Sequence, residues 1–197
     1  TLQVFFLTLL FSLPLGLAVS FGRMTGNKVI RAIVKLYIDI MRGTPLMLQL
    51  IIVYFAPYYL LGLNFDRFFA AVIAFVLNYS AYFAEIYRGG IQSMPKGQYE
   101  AAAVLGFTRL QTFMRIILPH VVKRILPPIS NEVITLVKDT ALVQMLGISE
   151  LLRVAKNESS RIVSTTPLFI AGVFYFVMNW IVTRIFHYAE KKLNYYR

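Results

Sequence analysis

EAAAVLGFTRLQTFMRIILP, residues 100–119, is a helix-forming run broken by one glycine. It lies between two apolar blocks, one at about 68–88 and one within 116–146. Each is long enough for a membrane crossing, which needs roughly 20 helical residues. The run itself is too polar to cross a bilayer and too regular in pattern to be a slack loop. Gly106 ends a first short helix, Gln98 to Leu105, as a left-handed cap would. Thr108 and Gln111 have the spacing of a capping box and open a second helix. That helix carries Leu110, Phe113, Ile116 and Ile117 into Pro119. Upstream, Gly89, Gly90, Pro95 and Gly97 punctuate a turn. Ala101, Ala102 and Ala103 are small enough for the first helix to press its backbone against a partner. An exposed helix this short is stable only when something packs on it. On physics alone the partner is either the lipid headgroups or another protein.

The whole chain has the composition of a membrane protein. Of its 197 residues 58% are hydrophobic and 15% charged, and the mean hydropathy is +0.65. A soluble domain carries about 25% charge and about 45–50% apolar residues. The apolar excess falls in blocks, predicting spans at about 2–22, 46–62 and 68–88, one within 116–146, and one at 167–188. Pro14 and Gly16 predict a bend in the first, and Pro127-Pro128 a broken start to the fourth. Residues 23–45 read as a basic connector, and 147–166 as a polar segment with a short helix after Ser149. The fold class is therefore all-α and polytopic: a single transmembrane domain over 1–197, about five spans, and a cytoplasmic hairpin at about 89–118. A start at Thr1 rather than methionine predicts further residues upstream.

The net charge of +11 fits topology and anionic lipid better than nucleic acid. Five basic residues follow the first span (Arg23, Lys28, Arg31, Lys35, Arg42). Six lie between the third and fourth (Arg88, Lys96, Arg109, Arg115, Lys123, Arg124), and four close the chain (Arg184, Lys191, Lys192, Arg197). These groups hold fifteen of the twenty Lys and Arg, so that side is cytosolic and the C-terminus faces inward. There is no cysteine, and His120 and His187 are far apart, which argues against thiol chemistry and a metal site. GRMTGNK at 22–28 has the wrong spacing for a phosphate loop and follows a span rather than a strand, so no ATP site is expected in this chain.

The pattern Glu100, Ala101, Ala102, then Gly106, then Ile116, Leu118 and Pro119 resembles the cytoplasmic loop of ABC importer permeases. RGTPLMLQLIIVYF (42–55), AEIYRGGIQSMPKGQYEAAAVLGF (84–107) and VKDTALVQMLGISELL (137–152) look like the polar amino-acid branch of that family, and the resemblance covers nearly the whole chain. It implies the type I permease fold, a prokaryotic inner membrane location, and uptake of polar amino acids by alternating access; the acidic residues within the chain tilt that class toward basic ones. It also implies that Glu100, Ala101, Ala102, Gly106 and Phe107 dock into a separate ATPase. The implied partners are two P-loop ATPase subunits that bind the ATP and magnesium, a second permease chain, identical or sister, and an extracytoplasmic amino-acid-binding protein. The chain itself would be no enzyme and hold no cofactor.

Ionisable and polar groups inside spans usually face the bundle or a cavity. Asn78, Tyr82 and Glu85 recur at i, i+4 and i+7 on one helical face, and the fourth span carries Asn131, Glu132, Lys138 and Asp139, of which Asp139 is the substrate candidate. Glu158 becomes an anion for a cationic side chain if residues 147–166 dip into the bundle. Local readings stand beside these: Glu85 lies three residues before Arg88, Lys138-Asp139 fits an outer interface, and Asn78 and Tyr82 fit polar contacts between helices. An ion-coupled secondary carrier is the alternative function. It predicts an inverted repeat, which the sequence does not display, and it leaves the hairpin without a purpose.

Overall fold

The structure is a computed structural model that describes residues 1–193; Arg197, the last basic residue counted above, lies outside the described residues. Every regular element among the described residues is helical. In chain order they are α1 (Leu2–Met24), α2 (Lys28–Gly43), α3 (Leu46–Leu61), α4 (Arg67–Gln92), α5 (Lys96–Val104), α6 (Arg109–Thr112), α7 (Leu118–Asp139), α8 (Leu151–Ile162) and α9 (Thr166–Leu193). A π-helical turn, Phe113–Ile117, joins α6 to α7, and a 3₁₀ segment, Thr140–Leu146, follows α7.

α1, α4 and α9 are each long and apolar enough to cross a membrane, and α2 with α3 qualifies as a pair bent by 113°. α3 alone, 16 residues, reaches only about 24 Å at 1.5 Å per residue, short of a roughly 30 Å hydrocarbon layer. The expected connector at 23–45 is thus largely helix. Its basic residues lower its average hydropathy and hide it from a composition reading. α7 has the length to cross, and runs unbroken through Pro127 and Pro128. The expected interruption of the fourth span lies earlier, in the π turn just ahead of Pro119, whose missing N–H removes a helical donor.

α4 is the centre of the bundle. Its Phe75, Tyr79 and Phe83, four residues apart, are buried together with Leu50 of α3 and Leu136 of α7. α1 lies against α4 through Thr8, Ser12, Gly16 and Ser20, a four-residue repeat of small buried residues that brings the two backbones close. A Cβ on Gly16 would sit 2.8 Å from Phe83 Cβ, so glycine there is a contact requirement. Gly90 has the same role. It lies inside α4 rather than in the expected turn, and a Cβ would meet Ile125 Cγ2 of α7. α9 packs on the core through Tyr175, Met178, Val182 and Phe186. Its outer face exposes Phe169, Phe174, Phe176 and Ile185, which fits a lipid-facing surface.

A polar cavity at the broken helix, and an exposed hairpin

α2 ends at Gly43 and α3 begins at Leu46, with Thr44 and Pro45 between them in extended conformation. Proline cannot continue α2, and the residue before a proline is pushed out of helical geometry. The broken backbone is satisfied locally. Gln49 Nε2 donates to the Met41 carbonyl at 3.0 Å and to Thr44 Oγ1 at 2.8 Å. Asn78 Nδ2 donates to the same Met41 carbonyl at 3.0 Å and to Gln49 Oε1 at 2.9 Å. Both side chains are buried, so this network fixes the break against α4.

Beside the break opens a cavity of about 490 Å³. Thr44, Pro45, Leu46 and Met47 form one wall, Asn78, Tyr79 and Tyr82 of α4 another, and Glu132, Thr135 and Asp139 of α7 a third. The α7 residues are spaced three and seven apart, which puts them on one face. Asp139 accepts a 2.8 Å hydrogen bond from the Tyr79 hydroxyl. The Arg42 guanidinium stacks 5.3 Å above the Tyr82 ring and is an electrostatic neighbour of Glu132. Glu132 accepts no hydrogen bond and joins no ion pair among the described residues. The first N–H groups of α3 lie ahead of its intrahelical bonds, so this end of the cavity favours negative charge.

Three of the five expected substrate residues, Asn78, Tyr82 and Asp139, are therefore brought together, and two are not. Glu85 lies further along α4, where Arg88 Nε donates to it at 3.0 Å and Arg23 Nε approaches to 3.8 Å. Glu158 lies on α8, and residues 147–166 do not bring it to the cavity. Arg161 Nε donates to it at 2.9 Å, and that bond holds the exposed carboxyl below its usual range. Each acid has an arginine three residues on, so local pairing satisfies it and nothing draws it inward. Tyr79, Gln49 and the Thr44–Pro45 break are what the sequence reading left out, and Glu132 it named on the fourth span without giving it a substrate role. The signal for Glu132 was its seven-residue spacing from Asp139. Glu150 is buried; it caps α8 and accepts a 2.9 Å hydrogen bond from the Tyr175 hydroxyl.

At the other end, α5 closes in a two-bond cap: Phe107 N–H donates to the Ala102 carbonyl at 3.0 Å and Gly106 N–H to Ala103, with Gly106 at φ +76°. This is the glycine-ended motif expected at Gly106. Thr108 Oγ1 accepts from Gln111 N–H while Gln111 Oε1 accepts from Thr108 N–H, completing the capping box. Glu100 and Ala101 are exposed, Ala102 is turned inward, and Phe107 is half-buried. Val104 is 88% exposed, Leu105 73% and Leu110 72%, an apolar cluster on a polar hairpin.

Residues 12–195 match the family described as binding-protein-dependent transport system inner membrane component. The chain is 39% identical over 195 residues to the arginine transport system permease protein ArtQ of Bacillus subtilis (strain 168), covering 98% of this chain and 89% of that protein. It is 37% identical over 194 residues, with the same coverage, to a Rickettsia felis (strain ATCC VR-1525 / URRWXCal2) protein described as a glutamine transport system permease, GlnP. Among solved structures, a crystal structure of an amino acid ABC transporter with histidines superposes with a TM-score of 0.89 at 35% identity, over 97% of this chain and 89% of that one.

Proposed function

The chain belongs to the family of binding-protein-dependent transport system inner membrane components, and from that premise we propose that it forms the amino-acid path of an ABC importer. The proposed substrates are polar amino acids carrying a cationic side chain. The carrying observation is Glu132, a carboxylate on the cavity wall with no donor of its own. A cationic amino acid brings one carboxylate and two cations, and each must be compensated on leaving water. The open start of α3 at Leu46 and Met47 suits the carboxylate. Glu132 suits the side-chain cation, Asp139 the α-ammonium, and Asn78 and Tyr82 flank them. ArtQ, whose name specifies arginine, supports this choice, while GlnP, whose name specifies glutamine, sets the neutral competitor to test.

In this reading the hairpin is the coupling element. Glu100, Ala101, Gly106 and Phe107, with the exposed Val104 and Leu105, meet a cleft on an ATPase subunit. The π turn and α7 carry that motion to Glu132 and Asp139 in the cavity. Two ATPases, a second permease chain and an extracytoplasmic amino-acid-binding protein complete the assembly. ATP and magnesium bind on the ATPases, and this chain hydrolyses nothing.

The test is ATP hydrolysis by the assembled complex in vesicles, with the binding protein, across a panel of amino acids. Stimulation by arginine or lysine well above that by glutamine supports the reading. Stimulation by glutamine alone overturns the cationic choice, and stimulation by no amino acid overturns the substrate class.

A further inference from the structure

We propose that α2 is an interfacial helix that binds anionic phospholipid of the cytosolic leaflet, through Lys28, Arg31 and Lys35. The inference stands apart from what the protein transports. It rests on three stripes that a period of 3.6 residues writes on sixteen residues.

The first stripe, Val34, Tyr37, Ile38 and Met41, packs inward. The Tyr37 hydroxyl donates to the Leu77 carbonyl of α4 at 2.6 Å, and Val34 reaches Gly22 of α1, so the helix is anchored on the bundle. The second stripe is apolar and outward: Val29, Ile33 and Leu36 are 66%, 63% and 61% exposed. The third is charged: Lys28, Arg31 and Lys35 are exposed, with Asp39 and Arg42 beyond them. None of Lys28, Arg31 and Lys35 joins an ion pair among the described residues.

A helix buried at mid-membrane would not carry three unpaired cations, and a helix in water would not expose three aliphatic side chains beside them. Both stripes are satisfied where acyl chains meet headgroups. The bend of 113° at Thr44–Pro45 turns α2 out of line with α3, so that its Lys28 end reaches that boundary while its Tyr37 turn stays against the middle of α4. α2 begins four residues beyond the end of α1 at Met24, on the side the basic-residue count makes cytosolic. The cytosolic leaflet is the one that holds anionic lipid, and basic residues near its surface are attracted to it.

The chain has no cysteine, so a single reporter can be placed without background. With Ile33→Cys labelled by an environment-sensitive fluorophore, the protein is purified together with the subunits it is extracted with. It is then reconstituted in phosphatidylcholine containing brominated phosphatidylglycerol or brominated phosphatidylcholine. The expected result is quenching at least about threefold more effective with the anionic lipid. That preference should fall to parity when Lys28→Gln, Arg31→Gln and Lys35→Gln are combined, and persist with Lys28→Arg and Lys35→Arg. Continued quenching of the glutamine variant by both lipids shows that α2 is still in place. Equal quenching of the unaltered helix by the two lipids overturns the proposal. So does a preference that survives the triple glutamine change. Quenching by neither lipid means another protein chain, such as a second copy, covers the face, and overturns it as well.

Discussion

Glu132 is left on a cavity wall with no donor to hold it, while Glu85 and Glu158 each have an arginine three residues away. Losing a charge-assisted hydrogen bond in a half-wet site costs about 1–3 kcal/mol, or roughly five- to 150-fold in affinity. Glu132→Gln is therefore expected to raise the KM for arginine or lysine uptake by about tenfold and leave glutamine uptake, if any, nearly unchanged. Equal loss for cationic and neutral substrates would make Glu132 a structural residue. Glu158→Gln is expected to alter neither, because that side chain lies outside the cavity. The lowered carboxyl of Glu158 is fully charged above its ordinary value near 4.5, and its pairing with Arg161 is lost only as the pH falls through the depressed value. Uptake between pH 6 and pH 8 should thus be indifferent to it, as a pH profile of the variant will record. At this scale the sequence displayed Asn78 and Tyr82 through helical spacing, and both do reach the cavity. It could not place Glu132, because that residue acquires its role only when the α2–α3 break is folded against α7.

The elements differ in how plainly the chain announces them. The hairpin was legible down to its caps, because Gly106 and the Thr108–Gln111 pair act within a few residues of themselves. α2 was not, because its stripes cancel in an average. Gly90 was read as turn punctuation, since only the fold brings Ile125 against it. Proline fixes φ near −65°, so Gly106→Pro destroys the left-handed cap at φ +76°. Gly106→Pro and Glu100→Arg are each expected to abolish substrate-driven transport while the chain still inserts. Wild-type transport by either, with the ATPase bound, would remove the hairpin from coupling. Packing glycines make a second contrast. Gly16→Val brings new atoms within reach of Phe83 Cβ and the Ser80 carbonyl, whereas Gly172 has nothing within 4 Å of its Cβ position. Gly16→Val should lower thermal stability sharply, by a strain of about 1–3 kcal/mol, and Gly172→Val only slightly. A thermal-shift measurement in detergent in which the two behave alike would contradict the close α1–α4 contact.

For the whole molecule, a cavity at a broken helix and an exposed hairpin after α4 make one device in the proposed reading, in which the hairpin faces the ATPase. In the cysteine-free chain, Ser93→Cys is expected to react with an impermeant thiol reagent only from the cytosolic side, and Asn64→Cys only from outside. The opposite pattern would invert the topology that the basic residues predict. The fold class was legible because membrane spans are written as long apolar blocks. The cavity was not, because it is assembled from three helices far apart in sequence. The path is expected to be worked by ATP hydrolysed on a partner rather than by an ion gradient. The most direct test is arginine accumulation in proteoliposomes holding the full complex, with the binding protein supplied outside, ATP enclosed or withheld, and proton and sodium gradients collapsed by ionophores. Accumulation is expected to require enclosed ATP and to survive the ionophores. Accumulation without ATP, driven by an imposed proton or sodium gradient and abolished by the ionophores, would contradict it.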